Sequence, residues 1–430
     1  VKVVALSIHD PLHSTDQGGV DVANECGKLH ETGMTHSLFT VDRIDLCIDM
    51  RETNCESRIG VKEMATREIV LCEAVRTPIG TYDGSLKTVS APDLGKIAIR
   101  AVLDRSKLDP AKVGTVVMGN VIQAGNKMNP ARQSAVNSGI PVDVPAMTVN
   151  RVCGSGAQGI ASAAGRWGYR MGDAQLYDSM LRDGLNDAFS GEHSGWHTED
   201  LVKSRQITRE QQDCWALRSQ QRFSAAQAAG KFKNEIAPVE IHGHKGVKVF
   251  DKDEHNRPDT TMESLAKLRP AFRKDGTITA GNAPGLNSGA SAMIVAERGW
   301  AEKQGLEPMA RLVSYGIGAV EPGMFGLGPV PAVRQALARA GWKISDIQRI
   351  EINEAFAAIA IAVTRELGLS EDIVNVEGGA IAHGHPIGAT GAVLTTRLLY
   401  SMQRDGIKRG VVTLCIGGGQ GIALTLEALH

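Results

Sequence analysis

The sequence predicts a duplicated α/β protein, two copies of one strand-and-helix unit stacked as α/β/α/β/α layers, with a long insertion between them. Three observations point there. The order of apolar helical face, turn, strand, glycine turn and helix occurs twice, about 230 residues apart. Glycine is abundant, 48 of 430 residues, and gathers in clusters at the ends of apolar strands. Aromatic content is only 4%, which suits closely stacked layers joined by tight turns. Strands alternating with helices further imply parallel-type sheets covered on both faces.

Taken in order, residues 1–63 stand apart. They hold three of the seven Cys, four His, a single aromatic (Phe39) and no sustained helical or strand period. Their 6 Lys/Arg against 11 Asp/Glu leave a net of −5, so the body of the chain is mildly positive. They are too acidic for a transit peptide and lack the layout of a signal peptide. Met64 then precedes an apolar strand, Ile69–Cys72, and reads as a natural start. The expectation is that 1–63 is a non-homologous extension without structure, or an artefact of the gene boundary.

The first unit runs over 64–164 and resumes at 286–308. Leu94, Ile97, Ala98, Ala101 and Val102 share one helical face, a turn follows at Asp109-Pro110, and a strand is expected at Val113–Met118. A helix near 130–138 and a second strand lead to Cys153. The second unit fills 309–430. Val333, Ala336, Leu337 and Ala340 share a face, the strand Ile347–Ile352 ends at Asn353, and a helix over 354–367 stops at Gly368. A strand at Ile373–Val376, a glycine turn, a helix near 389–404 and strands at 410–416 and 422–427 complete it. Only the second unit is complete. In the first, the helix after Cys153 stops near Ala164 and no returning strand follows, a shortfall of roughly 25 residues at usual element lengths. The insertion, 165–285, carries one strong helix, opened by Thr208 with Gln211 as a capping box.

Composition excludes several classes of function. A net charge of −1 argues against nucleic-acid or membrane-surface binding. No apolar run is long enough to span a bilayer. Seven Cys without a C-x-x-C pair read as reduced thiols of a cytoplasmic protein.

Chemistry concentrates on the glycine turns. Cys153 sits between a strand and a helix N-terminus, where unpaired N–H groups and the helix dipole favour a thiolate. His385 lies in the cluster 378–391, and Cys415 directly precedes Gly417-Gly418-Gly419. Asn353 ends a strand, the usual place for an α/β site. Each has a plainer reading: a core thiol, a turn histidine, a helix cap. Two thiols, an imidazole and a carboxamide at matching ends of two repeats favour a nucleophilic site. The pairs His383/His385 and His242/His244 lack the further ligands a metal needs. Gly417–Gly421 lies between two strands, not strand and helix, so it is no dinucleotide loop.

The blocks Asn150-Arg151-Val152-Cys153-Gly154-Ser155-Gly156, Asn353-Glu354-Ala355-Phe356, Gly378-Gly379-Ala380-Ile381-Ala382 with Gly384-His385-Pro386, and Cys415-Ile416-Gly417-Gly418-Gly419 resemble the four signatures of the thiolases. The resemblance runs from Met64 to the C-terminus and is nearest to the biosynthetic acetyl-CoA C-acetyltransferases. It implies a thiolase-like layered fold with a loop domain covering CoA. It implies Cys153 as nucleophile and His385 as its activator and an oxyanion ligand. Cys415 becomes the acid and base at the α-carbon, Asn353 the holder of an oxyanion water, and the Cys153 and Gly417 N–H groups a second oxyanion site. It implies His193, Arg257, Ser264, Ala280 and Phe356 as substrate contacts. Acetyl-CoA, acetoacetyl-CoA and CoA would be the partners, with no metal or redox cofactor, in a homodimer or homotetramer.

Two departures qualify the resemblance. Pro284 stands where the family usually has a Ser near the CoA pantetheine, removing a hydroxyl and a backbone N–H. The gap after Ala164 removes a buried strand and shortens the nucleophile helix. Its expected cost rivals a whole domain's stability of roughly 5–15 kcal/mol, so a poorly folded, non-catalytic acyl-CoA-binding relative is the alternative. A decarboxylating ketosynthase is disfavoured, because such enzymes lack a second cysteine base.

Overall fold

The computed structural model describes residues 2–7, 68–123, 125–163, 185–243 and 246–429. The first half comprises β1 (Lys2–Ser7), β2 (Ile69–Arg76), β3 (Gly80–Thr81), α1 (Ala91–Ser106), β4 (Thr115–Asn120), α2 (Pro130–Asn137), β5 (Ala146–Val149) and α3 (Ser155–Ala163). The insertion holds α4 (Ser194–Ser204), α5 (Arg209–Ala228), β6 (Val239–Gly243), β7 (Gly246–Phe250) and α6 (Met262–Ala266). The chain returns through β8 (Asn287–Ser288), β9 (Ala290–Glu297) and α7 (Arg298–Lys303). The second half is β10 (Pro308–Ala319), α8 (Pro329–Ala340), β11 (Arg349–Ile352), α9 (Ala357–Leu367), α10 (Ala380–His383), α11 (Thr390–Asp405), β12 (Arg409–Ile416) and β13 (Gln420–Ala428).

Local chemistry sets the helix ends. Ser90 accepts the Asp93 N–H and Pro92 lies in the first turn of α1. Thr208 and Gln211 exchange hydrogen bonds as a capping box on α5. Gly341, Gly368 and Gly406 end α8, α9 and α11 in the left-handed conformation.

The layers follow from period-2 burial. Val116, Met118, Ala292 and Ile294 pack outward with α1 and α2, whereas Val117, Met293 and Val295 face the central core. In the second half Val412, Leu414, Leu424 and Leu426 face the same core, while Val411, Cys415 and Ala423 pack with α8 and α9. Between the two sets of strands lie α3 and α11, which meet where Gly391 approaches Ala157. A Cβ on Gly391 would stand 2.4 Å from the Ala157 nitrogen.

Three expectations need correction. Among the described residues, nine of the thirteen strands form one sheet, β11-β12-β13-β10-β2-β9-β1-β4-β5, in which most neighbours are antiparallel, and β3–β8 and β6–β7 form two small ribbons. The hairpin β12–β13 and the returning β9 reverse direction, so among the described strands parallel pairing occurs at β4–β5, β11–β12 and β1–β9. Residues 373–376 make no strand: Glu371–Ile373 is a 3₁₀ turn, and only Val374 bridges to Ile350. Finally, Lys2–Ser7 is not structureless. It pairs with β4 on one side and β9 on the other, over six residues each. The rest of the extension and the segment after the gap, 164–184, lie outside the described residues.

Candidate active site

Cys153 follows a strained turn. Val152 holds φ 41, a left-handed value that costs a β-branched residue energy. Neighbours over-determine it. Asn150 Oδ1 accepts the Val152 N–H at 3.0 Å, and Ser155 Oγ accepts the Arg151 N–H at 2.8 Å while donating to the Val152 carbonyl at 2.7 Å. Gly154 is required as glycine, because a Cβ would lie 2.6 Å from Ile416 Cδ1 of the second half. The thiol therefore sits half-buried at the head of α3, facing the β12–β13 turn.

Burial dominates its electrostatics. It pushes the Cys153 thiol up to about 11, against the pull of the Gly417 and Cys153 backbone N–H groups. The expectation of a resting thiolate is thereby corrected, since desolvation outweighs the local N–H field. Cys415, next to last in β12, is buried and raised well above the ordinary thiol range, first by burial and then by the neighbouring Cys153. Gly154 packs against Ile416, so the end of β12 that carries Cys415 adjoins the Cys153 turn.

His385 belongs to a buried relay. Thr390 Oγ1 donates to the Pro386 carbonyl at 3.0 Å, so it accepts from His385 Nδ1–H at 2.7 Å. The Nε2 lone pair then faces Asn353 Nδ2 at 3.3 Å. Burial lowers the imidazole to about 4, keeping it neutral at physiological pH. The backbone is fixed by the His385 N–H to Asn287 Oδ1 bond, 2.8 Å, and Gly384 takes φ 98 beside that Asn287 side chain. Asn353 is not a helix cap, because α9 begins at Ala357. It is wholly buried and, among the described residues, its Oδ1 has no protein partner, which leaves an acceptor open to a water or a ligand.

A cavity of about 880 Å³ joins these groups. Cys153, His385, Gly417, His193 and Phe356 line it, with Ala283, Pro284 and Gly285 on one wall. Cys415 and Asn353 lie behind that surface. His193 caps α4 by accepting the Gly195 N–H at 3.0 Å and stacks on Phe272, whose ring meets Phe356 edge-on. The remaining expected contacts, Arg257, Ser264 and Ala280, line a separate cavity of about 150 Å³. Ala283 borders both, so the two adjoin. Among the described residues, no group of three or more His, Cys, Asp or Glu is placed to hold a metal. Thr390 and Asn287, which orient His385, were not read from the sequence. Their only signal is proximity to glycine turns.

Two thiols and a neutral imidazole gathered at one cavity of a duplicated α/β body place this protein among the acyltransferases. The chain belongs to the thiolase family: the thiolase N-terminal domain matches residues 69–166 and 161–299, and the thiolase C-terminal domain matches 306–428. The first match is thus split where the sequence shows its gap. Acetyl-CoA acetyltransferases of Chromobacterium violaceum and Pseudomonas aeruginosa are 45% and 46% identical over 389 residues, 84% of this chain and 99% of each relative. The crystal structure of the Bacillus anthracis acetyl-CoA acetyltransferase superposes with TM-score 0.81 at 39% identity, covering 84% of this chain and 99% of that one. Human mitochondrial 3-ketoacyl-CoA thiolase in complex with CoA gives 0.78 at 39%, covering 84% and 98%. Nothing in these relatives supports the non-catalytic alternative.

Proposed function

We propose that this protein is an acetyl-CoA C-acetyltransferase, joining two acetyl-CoA into acetoacetyl-CoA and CoA and running the reverse thiolysis. The observation that carries the reading is the convergence of Cys153, His385 and Gly417 on one cavity, with the end of β12 that bears Cys415 packed against the Cys153 turn.

A thiol near 11 is protonated at neutral pH, so attack needs a base. Neutral His385 takes the Cys153 proton on Nε2 as sulfur attacks the acetyl carbonyl, and the Cys415 thiol gives its proton to the departing CoA thiolate, which leaves Cys415 as a thiolate. In the second half-reaction the Cys415 thiolate takes an α-proton from the second acetyl-CoA. The resulting carbanion attacks acetyl-Cys153, acetoacetyl-CoA forms, and the departing Cys153 thiolate regains its proton from His385. Asn353, through a water, and the Nε2–H of His385, protonated since the first half-reaction, hold the enolate oxygen, while the Cys153 and Gly417 N–H groups hold the tetrahedral oxyanion. His193 and Phe356 border the acyl group. Arg257, Ser264 and Ala280 meet the CoA moiety in the adjoining cavity. Each step moves only a proton or an acyl group, so the cycle calls for no metal or redox cofactor. The free thiols among the described cysteines fit a cytoplasmic setting. The open edge at β5 and exposed Met128 and Val142 favour a homodimer or homotetramer.

The test is thiolysis of acetoacetyl-CoA by the purified chain, with iodoacetamide mapped by mass spectrometry. Turnover that is lost on alkylation of Cys153, and protected by acetyl-CoA, is expected. Turnover indifferent to Cys153 alkylation overturns the reading.

A further inference from the structure

Glu354 is a buried carboxylate that the mechanism above does not use, and it follows Asn353 directly in the chain. It accepts four hydrogen bonds. Trp215 Nε1 at 2.9 Å and Asn375 Nδ2 at 3.0 Å reach Oε1, while Ser219 Oγ at 2.8 Å and the Ile381 N–H at 3.0 Å reach Oε2. Trp215 and Ser219 lie on α5 of the insertion, and Ile381 lies in α10, four residues before His385. Ser219 Oγ also accepts the Gly379 N–H at 2.9 Å.

The surrounding backbone is shaped around this carboxylate. A Cβ on Gly379 would stand 2.3 Å from the Glu354 carboxyl carbon, and one on Gly378 would stand 2.5 Å from the Ser219 carbonyl oxygen. Asn375, itself at φ 45, accepts the Ile352 N–H at 2.8 Å and donates to the Ile352 carbonyl at 2.9 Å, clamping the strand end that carries Asn353. The two glycines of this signature therefore serve Glu354 and α5 rather than a ligand.

We propose that Glu354 is a positioning residue for the reaction. It locks the Asn353 strand end, the α10 segment leading to His385, and helix α5 of the insertion into one unit, and so sets the Asn353–His385 pair at its working separation. The inference rests on the thiolase reading, in which that pair holds the enolate oxygen. A carboxylate suits the place because all four neighbours are donors. A glutamine keeps two of those bonds and turns an NH₂ toward the other two donors.

The test is Glu354→Gln, with Trp215→Phe as a milder variant that removes one donor and keeps the ring. For E354Q, kcat for acetoacetyl-CoA thiolysis per folded active site falls about 100-fold, with KM for CoA little changed. W215F falls in the same direction by less. A kcat within about twofold of wild type in folded E354Q, or a loss that merely tracks the unfolded fraction, overturns the proposal. Crystal structures give a readout independent of turnover. The Asn353 Nδ2–His385 Nε2 contact opens beyond 3.3 Å in E354Q, and its retention overturns the proposal. An inactive wild-type chain would instead refute the thiolase reading alone.

Discussion

The two halves fill the same slot in their strand order by different means. In the second half β12 lies between β11, to which it is parallel, and β13, to which it is antiparallel, and it carries Cys415 and brings the Gly417 turn to the cavity. In the first half the place between β4 and β9 is taken by β1, from the far N-terminus. It runs the other way: antiparallel to β4 and parallel to β9. The difference shows that the slot is demanding about hydrogen bonds and indifferent to direction. Two facing strand edges need their N–H and C=O groups paired, and a strand of either polarity can do that. Delivery of a side chain to the site is another matter, because that depends on where the strand ends and what turn follows. Three of the four candidate site residues, Asn353, His385 and Cys415, come from the half whose own strand is intact. The unpaired edges expected from the gap after Ala164 are covered by β1, which also packs beside α3 and α1.

The sharpest comparison is between the two thiols. Cys153→Ala should lose at least about 10³-fold in turnover and form no acyl-enzyme. Cys415→Ala should lose a similar factor in condensation yet still show acetyl-Cys153 by mass spectrometry. If both variants lose acyl-enzyme formation equally, the division of labour between the halves is wrong.

Proline probes the two inner strands. Val412 pairs with Glu351 and Leu424, and Val4 pairs with Met118 and Ala292. Val412→Pro and Val4→Pro should each cost about 3 kcal/mol, measured by urea unfolding. A negligible cost at Val4 beside a full cost at Val412 would show that β1 does not carry the sheet as β12 does.

Protons give a third probe. His385 stands at about 4 in the folded chain against about 6.5 unfolded, so the unfolded state binds the extra proton between these values. Stability from this group is fully present above pH 6.5 and is lost as pH falls toward 4, by roughly 3 kcal/mol. His385→Asn should flatten that acid limb in a pH series of urea midpoints. An unchanged slope would show that the imidazole is not held neutral by burial.

The smallest effect is expected where the halves touch. Gly391→Ala drives a methyl against the Ala157 backbone and should cost about 1–3 kcal/mol with a loss of activity through α3. A neutral change in Tm would mean the helices have room to part.

The sequence by itself determined the duplicated plan, the start of α5, the end of α9 and the extent of α11, and it marked Cys153, His385, Cys415 and Asn353 as the candidate site. These rest on local signals: periodic apolar faces, capping residues, and glycine turns that mark where backbone passes close to backbone. Other features depended on partners far along the chain. Glu354 lies inside a recognised signature, but its meaning comes from Trp215 and Ser219, 139 and 135 residues away. The Cys153 thiol was misread because a helix dipole is local and visible, whereas desolvation depends on everything that closes over the sulfur. Lys2–Ser7 was misread for the same reason. A six-residue run becomes an inner strand only when two facing edges are left open for it, and that vacancy is a property of the assembled sheet.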